Sequence, residues 1–234
     1  MKVIRHGDNL WQLMRLHLMN CYLVREDDGY TLVDTNLPGS TGAILKAARA
    51  QGLKIVRVVL THAHGDHVGS VDALKARLPD LEVMVTARDA RFMTGDFSLD
   101  TGEPQADLRG SFPAVKTRPT RFLRHSGRVG SLEVVSSPGH TPGHVSFLDR
   151  RDGTLIAGDA FSTRDGVAVA GILRPLFPLP ALATWHKPTA LESGLALREL
   201  RPERLATGHG PVITNPLSKM DGALSEAQRQ VMGY

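Results

Sequence analysis

The stretch THAHGDH, residues 61–67, brings three histidines and one aspartate together within seven residues. It follows the apolar run IVRVVL (55–60), which is typical of a buried strand, and it leads into HVGSVDALKARL (67–78), whose valines and leucines have helical spacing. A lone His-x-His pair means little, but the full pattern at a strand-to-helix junction favours a metal site. The alternative is a solvated polar loop in which Asp66 only caps the helix.

Three further apolar runs also end in a histidine or an acid. LEVVSSPGH, TLIAGD and LATGH end at His140, Asp159 and His209, and each carries a glycine next to its last residue. Glycine permits tight turns and a close approach of the backbone, which crowded ligand loops require. If these three runs and the run before His62 are neighbouring strands that enter from one side, we expect their four ends to meet at one sheet edge.

These residue types are those of a metal site. Neutral imidazole and carboxylate groups bind Zn²⁺, and also Mn²⁺ or Fe²⁺. The candidate ligands are His62, His64, Asp66, His67, His140, Asp159 and His209. Seven ligands exceed the four of one tetrahedral site, so we predict two divalent ions, zinc in the first instance, that share a bridge and a water or hydroxide. Asp159 is the natural bridge, because a carboxylate has two oxygens to offer.

Three other residues are candidates for supporting roles. His144 lies four residues after His140, and Asp34 ends the run TLVD. Both are predicted to hydrogen-bond to metal ligands and so fix the orientation of those ligands. The alternatives are a core histidine for His144 and a turn cap for Asp34. His186, beside Trp185, is a candidate substrate contact, and an ordinary exposed histidine is the alternative.

The composition is that of an ordinary globular protein, with 41% hydrophobic and 22% charged residues among 234. No apolar run approaches the ~20 residues of a membrane span, and the first residues lack an apolar signal core, so we expect a cytoplasmic protein without a membrane partner. The single cysteine, Cys21, rules out an internal disulfide and a thiolate metal cluster. A net charge of +4 without a run of lysines or arginines argues against nucleic-acid binding.

Strand-like and helical segments are mixed along the chain, so the predicted class is α/β or α+β, in a single domain over residues 1–234. The first predicted strand is NCYLV (20–24), and 95–120 is predicted as a loop. Helices are predicted at 40–51, 67–78, 189–200 and from about residue 217. Residues 161–188 contain four prolines among leucines and phenylalanines. We predict that this stretch is too irregular for a core element and forms a lid or a substrate-pocket wall.

The motifs THAHGDH, GHTPGH (139–144), GDAF (158–161) and TGHG (207–210) resemble those of the metallo-β-lactamase-fold superfamily. The resemblance runs from YTLVDTN to TGHGPVI, which is nearly the whole chain. It implies an αββα sandwich, in which two mixed sheets face each other and helices lie outside. It also implies the division of the ligands: His62, His64 and His140 at the first metal, Asp66, His67 and His209 at the second, with Asp159 joining them.

The residue at the bridge distinguishes subgroups of this superfamily. Most true β-lactamases of this fold have cysteine or serine where this chain has Asp159, so the chain resembles glyoxalase II and the lactonases instead. Lactonases that act on acyl-homoserine lactones often carry a tyrosine three residues later, as a partner for a substrate oxygen. That position is Ser162 here, and we regard it as a candidate substrate contact.

The predicted reaction is hydrolysis of a small ester, thioester or lactone by a hydroxide that bridges the two metals. Metal-bound water loses its proton near pH 7, at a pKa of about 7. Asp66 is predicted to orient this nucleophile and to carry a proton to the leaving group. Two alternatives of the same fold stay open: an iron-dependent oxidoreductase or sulfur dioxygenase, and a nucleic-acid-processing phosphodiesterase. The expected partner is a small-molecule substrate, and a homodimer is also open.

Overall fold

The computed structural model describes residues 1–233, which form two compact units. The first unit comprises Met1–Asp96 and Phe112–Leu123, and the second comprises Phe97–Ser111 and the chain from Arg124 onward. Each unit contains one large mixed sheet together with helices. The predicted α/β class with two mixed sheets is thereby confirmed. That residues 1–234 act as one domain stays a prediction.

The sheet of the first unit has seven strands in chain order. These are β1 (Lys2–His6), β2 (Leu10–Arg15), β3 (Met19–Glu26), β4 (Gly29–Val33), β5 (Ile55–Val59), β6 (Glu82–Thr86) and β7 (Arg121–Leu123). Strands β1 to β4 pair antiparallel, and β4 to β7 pair parallel. Two strands, β1 and β2, precede NCYLV, which is the first strand that the sequence predicts. The mostly exposed β1 lies at the sheet edge and has no apolar alternation that would indicate a strand.

The helices of the first unit are α1 (Thr41–Ala50), α2 (Gly65–Val68), α3 (Val71–Arg77) and α4 (Ala87–Met93). The first matches the helix predicted at 40–51, but the single helix predicted at 67–78 is wrong. The helix is interrupted because the Ser70 N–H donates to the hydroxyl of Thr35 at 3.1 Å. Gly69 is also packed closely against Pro38, since an added Cβ would lie 2.5 Å from the Pro38 ring.

The predicted loop at 95–120 is confirmed, because no helix or strand lies between α4 and β7. Its last part is fixed to α3 by the Asp72 carboxylate, which accepts the Lys116 N–H at 3.0 Å and the N–H and hydroxyl of Thr117 at 2.7 and 2.6 Å. Partial burial raises the pKa of the Asp72 carboxyl, but these hydrogen bonds outweigh burial and hold that pKa below its usual value. The attachment therefore stabilises the fold at neutral pH and weakens as pH falls through the lowered pKa.

The large sheet of the second unit has six strands in the order β15-β14-β11-β10-β9-β8. They are β8 (Arg128–Val129), β9 (Leu132–Ser136), β10 (Val145–Asp149), β11 (Thr154–Ile156), β14 (Arg204–Ala206) and β15 (Ile213–Thr214). Both β9 and β11 are antiparallel to β10, and β14 is parallel to β11. Strands β9, β11 and β14 consequently point in one direction and end at the same edge of the sheet.

A small hairpin and three helices complete the second unit. The hairpin pairs β12 (Phe161–Ser162) with β13 (Ala168–Val169), and the helices are α5 (Leu179–Leu182), α6 (Lys187–Glu199) and α7 (Leu217–Met232). Phe161, Val169 and Ile172 are buried in a core that also contains residues of α6 and α7. The expectation that 161–188 holds no core element is therefore wrong for 161–172, where the hairpin satisfies the backbone. In the part of the chain that is described, no helix is both long and apolar enough to cross a membrane.

Two glycines provide a matched test of this packing. Gly139 has a φ of +129°, and an added Cβ would lie 2.3 Å from the Ala190 backbone in α6, whereas a Cβ on Gly42 in α1 would meet nothing within 4 Å. We expect Gly139→Ala to lower the free energy of unfolding by about 2–4 kcal/mol through strain and overpacking. Gly42→Ala should raise it by roughly 0.4–1 kcal/mol, because the unfolded chain loses freedom. Urea titrations followed by circular dichroism measure both, and a wild-type midpoint for Gly139→Ala would contradict the packing described.

Candidate metal centre

The four candidate ligands of the first unit follow β5 directly. His62, His64 and His67 are buried, whereas the Asp66 side chain is 26% exposed. His62 Nε2 lies 3.1 Å from His64 Nδ1, and His67 Nε2 lies 3.8 Å from Asp66 Oδ2. The strand end and the short helix α2 thus bring donor atoms of all four residues into two close pairs.

Asp34 determines how two of these imidazoles are oriented. It follows β4, adjacent to β5, and accepts the Thr61 N–H and the Thr61 hydroxyl, each at 2.8 Å. His67 Nδ1 lies 2.8 Å from Asp34 Oδ2, and since carboxylate oxygens accept, this nitrogen donates. The Thr61 hydroxyl is committed to Asp34, so its oxygen accepts from His62 Nδ1 at 3.0 Å. Both rings therefore present Nε2, with its lone pair, as the ligand atom.

Asp89 also holds the ligand loop, and the sequence did not reveal it. This buried residue of α4 accepts the N–H of Ala63, which lies between His62 and His64, at 2.8 Å. Nothing in TARDARFM separates Asp89 from any acid in the first turn of a helix, where acids are common. A hint comes only from the placement of α4 after β6, which neighbours β5.

The three candidate ligands of the second unit follow the three strands that share a direction. His140, Asp159 and His209 come after β9, β11 and β14, and all three are buried. Asp159 Oδ2 lies 3.1 Å from His209 Nε2 and 3.4 Å from His140 Nε2. One carboxylate oxygen is thus within reach of two imidazole nitrogens.

The second unit also supports its ligands with hydrogen bonds. The Thr184 hydroxyl donates to the carbonyl of Pro180 at 2.8 Å, so its oxygen accepts from His140 Nδ1 at 3.1 Å and leaves Nε2 as the ligand atom. His144 Nε2 accepts the backbone N–H of Asp159 at 3.1 Å. The other ring nitrogen of His144 then donates to Ser137 Oγ at 2.9 Å. His144 thus contacts the backbone of Asp159, and its role in orienting a metal ligand stays a prediction.

The prediction that four run ends meet at one sheet edge is wrong in its premise. The run before His62 is β5, which pairs with β4 and β6 in the sheet of the first unit. The runs before His140, Asp159 and His209 belong to the sheet of the second unit. Apolar runs of similar length do not reveal which sheet they join, because pairing depends on contacts distant in sequence.

The two candidate substrate contacts have hydrogen bonds of their own. The Ser162 hydroxyl accepts the Arg164 N–H at 3.3 Å and lies 3.5 Å from the carbonyl oxygen of His209. The His186 ring caps α6, because its Nδ1 lies 2.8 Å from Thr189 Oγ1 and accepts the Thr189 N–H at 3.4 Å. Capping explains His186 locally, and a substrate contact at either residue stays a prediction.

The donor chemistry fits divalent metal ions. All seven predicted ligands occur in histidine and aspartate groups that could hold a metal ion. Two ligands that share a tetrahedral zinc at ~2.0–2.1 Å lie about 3.3 Å apart. The His62–His64 pair at 3.1 Å and the two contacts of Asp159 at 3.1 and 3.4 Å have this spacing. Two facing ring nitrogens also need a cation or a proton between them.

Comparison with known proteins agrees with this chemistry. The profile of the metallo-beta-lactamase superfamily matches residues 16–209. The uncharacterized protein YobT of Bacillus subtilis is 44% identical over 97% of this chain and 99% of its own length. The probable metallo-hydrolase YflN of the same organism is 31% identical over 89% of this chain and 86% of its own. A hydroxyacylglutathione hydrolase of Xanthomonas axonopodis pv. citri is 35% identical over 66% of this chain but only 51% of its own length.

Solved structures share the fold. TTHA1623, solved in a di-iron-bound form, is 29% identical, with a TM-score of 0.64 over 88% of this chain and 94% of that one. The DIM-1 metallo-beta-lactamase has a TM-score of 0.73 over 98% of this chain and 97% of its own, and at 18% identity this likeness shows the fold alone. The chain therefore belongs to the metallo-beta-lactamase superfamily, and it is a hydrolase of that superfamily.

Proposed function

We propose that this protein is a dinuclear metal-dependent hydrolase that cleaves a small ester, thioester or lactone. The observation that carries the proposal is the position of Asp159, whose Oδ2 lies 3.4 Å from His140 Nε2 and 3.1 Å from His209 Nε2. A carboxylate between two imidazoles is placed to serve two cations at once, since each imidazole offers one lone pair. Under this proposal, Asp159 links the two ions.

The proposal requires that the ligands of both units serve one pair of ions, as the resemblance to the superfamily implies. His62, His64 and His140 would hold one ion, and Asp66, His67 and His209 the other. Support comes from the structure of TTHA1623 in a di-iron-bound form and from the probable metallo-hydrolase YflN. The match to hydroxyacylglutathione hydrolase supports a thioester among the substrate types.

The residues divide the chemical work between holding the ions and moving a proton. When bound, divalent ions lower the pKa of coordinated water to about 7 and polarise a carbonyl oxygen. Asp66 is the one ligand of the first unit whose side chain reaches solvent, at 26% exposure. It would hold the attacking water through one carboxylate oxygen and pass its proton to the leaving group. His67 and His140, whose Nδ1 atoms donate to Asp34 and Thr184, would present deprotonated Nε2 atoms for binding.

Removing a ligand from either unit should abolish hydrolysis. We expect His64→Ala and Asp159→Ala each to lower kcat/KM by more than about 100-fold, because the ions would be lost or misplaced. A panel of lactones, thioesters and aryl esters, assayed with metal-quantified protein, measures the effect. His125→Ala is the matched control, because His125 is exposed, is not a candidate ligand, and accepts the backbone N–H of Ser136 through its Nδ1. Near wild-type rates in either ligand variant would refute the mechanism.

Metal content separates this function from iron-dependent oxidation. We expect about two divalent ions per chain, loss of hydrolysis after chelation, and recovery when Zn²⁺ is returned. Asp159→Ala should hold one ion or fewer per chain, since it would remove the ligand that both ions share. Elemental analysis by mass spectrometry gives the number and identity of the ions. One iron per chain together with oxygen consumption would favour the oxidoreductase instead.

Asp34 allows a test of the orienting hydrogen bonds without removing a ligand. Its φ is +62°, and Asn tolerates this conformation, so Asp34→Asn keeps the backbone while weakening the acceptor that His67 and Thr61 share. We expect the affinity for Zn²⁺ to fall about 10–100-fold, measured by competition with a chromophoric chelator. Asp165→Asn, at an exposed site with a φ of +60°, is the matched control. Equal affinity in both variants would show that Asp34 does not orient the ligands.

A further inference from the structure

The segment 173–182 exposes four leucines at intervals of three residues. Their exposed fractions are 53% for Leu173, 78% for Leu176, 56% for Leu179 and 57% for Leu182. We call these four side chains the leucine strip. No charged residue lies between Pro175 and His186. Large contiguous apolar patches on a protein surface mark interaction or ligand-binding sites.

One buried side chain of this segment, Phe177, contacts a proposed metal ligand. The ring of Phe177, which is buried, lies 4.9 Å from the ring of His209. Just after the segment, the Thr184 hydroxyl accepts from His140 Nδ1, and the backbone N–H of Trp185 donates to the His140 carbonyl at 3.0 Å. Leu176 and Leu179 therefore flank, along the chain, a buried side chain that touches His209, one of the residues that would hold the ions.

The backbone that carries the leucine strip is anchored to the rest of the second unit. Arg174, beside its first leucine, makes two hydrogen bonds with the Glu226 carboxylate of α7, at 2.8 and 2.7 Å. Three prolines, at 175, 178 and 180, restrict the backbone. Leu179 and Leu182 lie three residues apart on α5 and so share one face of that helix. A surface fixed in this way binds apolar groups with little loss of conformational entropy.

We propose that the leucine strip binds an apolar acyl chain of the substrate, so that the enzyme prefers medium-length acyl esters, thioesters or lactones to short ones. This inference rests on the proposed hydrolase function, since the scissile carbonyl would sit at the ions while the chain runs along the strip. An uncharged surface of leucines favours a hydrocarbon over a charged or peptide-like tail, because charged groups lose water there without gaining a partner.

A series of p-nitrophenyl esters from acetate to octanoate tests the inference. We expect kcat/KM of the wild type to rise by at least roughly 100-fold over this series, because each methylene removed from water contributes up to about fourfold. The ratio of kcat/KM for octanoate to that for acetate should fall at least tenfold in Leu176→Ser and Leu179→Ser. Leu195→Ser is the matched control, since this leucine of α6 is 39% exposed and lies outside the strip, and it should keep the wild-type ratio.

Calorimetry gives a second measurement that does not depend on turnover. Decanoate should bind the wild type with a negative heat-capacity change, and Leu176→Ser should weaken this binding at least tenfold, whereas acetate should bind both proteins equally. Hydrolysis of p-nitrophenyl acetate with no gain in kcat/KM for esters of longer chains would overturn the inference and leave the proposed function intact. If no ester, thioester or lactone is cleaved, the proposed function fails. Decanoate binding that Leu176→Ser weakens would then still support the leucine strip as an acyl-chain site, and equal binding to both proteins would reject it. A wild-type dimer that Leu176→Ser dissociates would show that a second copy covers the strip and would overturn the inference.

Discussion

A buried carboxylate that faces two imidazoles is the constraint around which the second unit is organised. An ionised carboxylate removed from water is strongly unfavourable unless hydrogen bonds and opposite charges surround it. His140 Nε2 and His209 Nε2 lie 3.4 and 3.1 Å from Asp159 Oδ2, and because the His140 nitrogen carries a lone pair, a cation between these atoms would meet this requirement. The backbone N–H of Asp159 is satisfied separately by the ring of His144. Three strands of one direction are needed to bring these residues together, so the sheet order and the site depend on each other.

The first unit solves the same problem with a carboxylate that would not bind metal itself. Asp34 adopts a left-handed backbone conformation, which costs about 1–3 kcal/mol for a residue other than glycine. Its two oxygens accept the N–H and hydroxyl of Thr61 and contact His67, and hydrogen bonds to a charged group contribute about 1.5–3 kcal/mol each. The strain is therefore offset by the contacts that fix the imidazoles. The same left-handed conformation of Asp34 that carries the strain places its carboxylate next to Thr61 and His67.

The sequence predicted the parts of the site that are encoded locally and missed those that depend on distant contacts. The places of the candidate ligands after apolar runs could be read directly, and the structure shows hydrogen bonds of Asp34 and His144 next to those residues. That any of them serves a metal ion stays a prediction. The break between α2 and α3 could not, because it depends on a hydrogen bond from Ser70 to Thr35. Asp89 was also missed, since its partner, the backbone of Ala63, lies in another element. The sheet that a strand joins also depends on contacts distant in sequence, so the sequence did not show that β5 and the strands before His140, Asp159 and His209 belong to different sheets.

The apolar stretch after Asp159 shows why composition alone misplaces a surface. Residues 161–172 and 173–182 are similarly rich in apolar side chains, yet the apolar side chains of the first group are buried and the second group exposes its leucines. The difference is the β12–β13 pairing, which satisfies the backbone of the first group and lets it enter the core. Prolines prevent the second group from pairing in that way. The candidate ligands of the second unit thus follow core strands, whereas the adjoining leucines lie on the surface. Under the proposed function, changes in that surface would alter substrate preference without displacing the ligands.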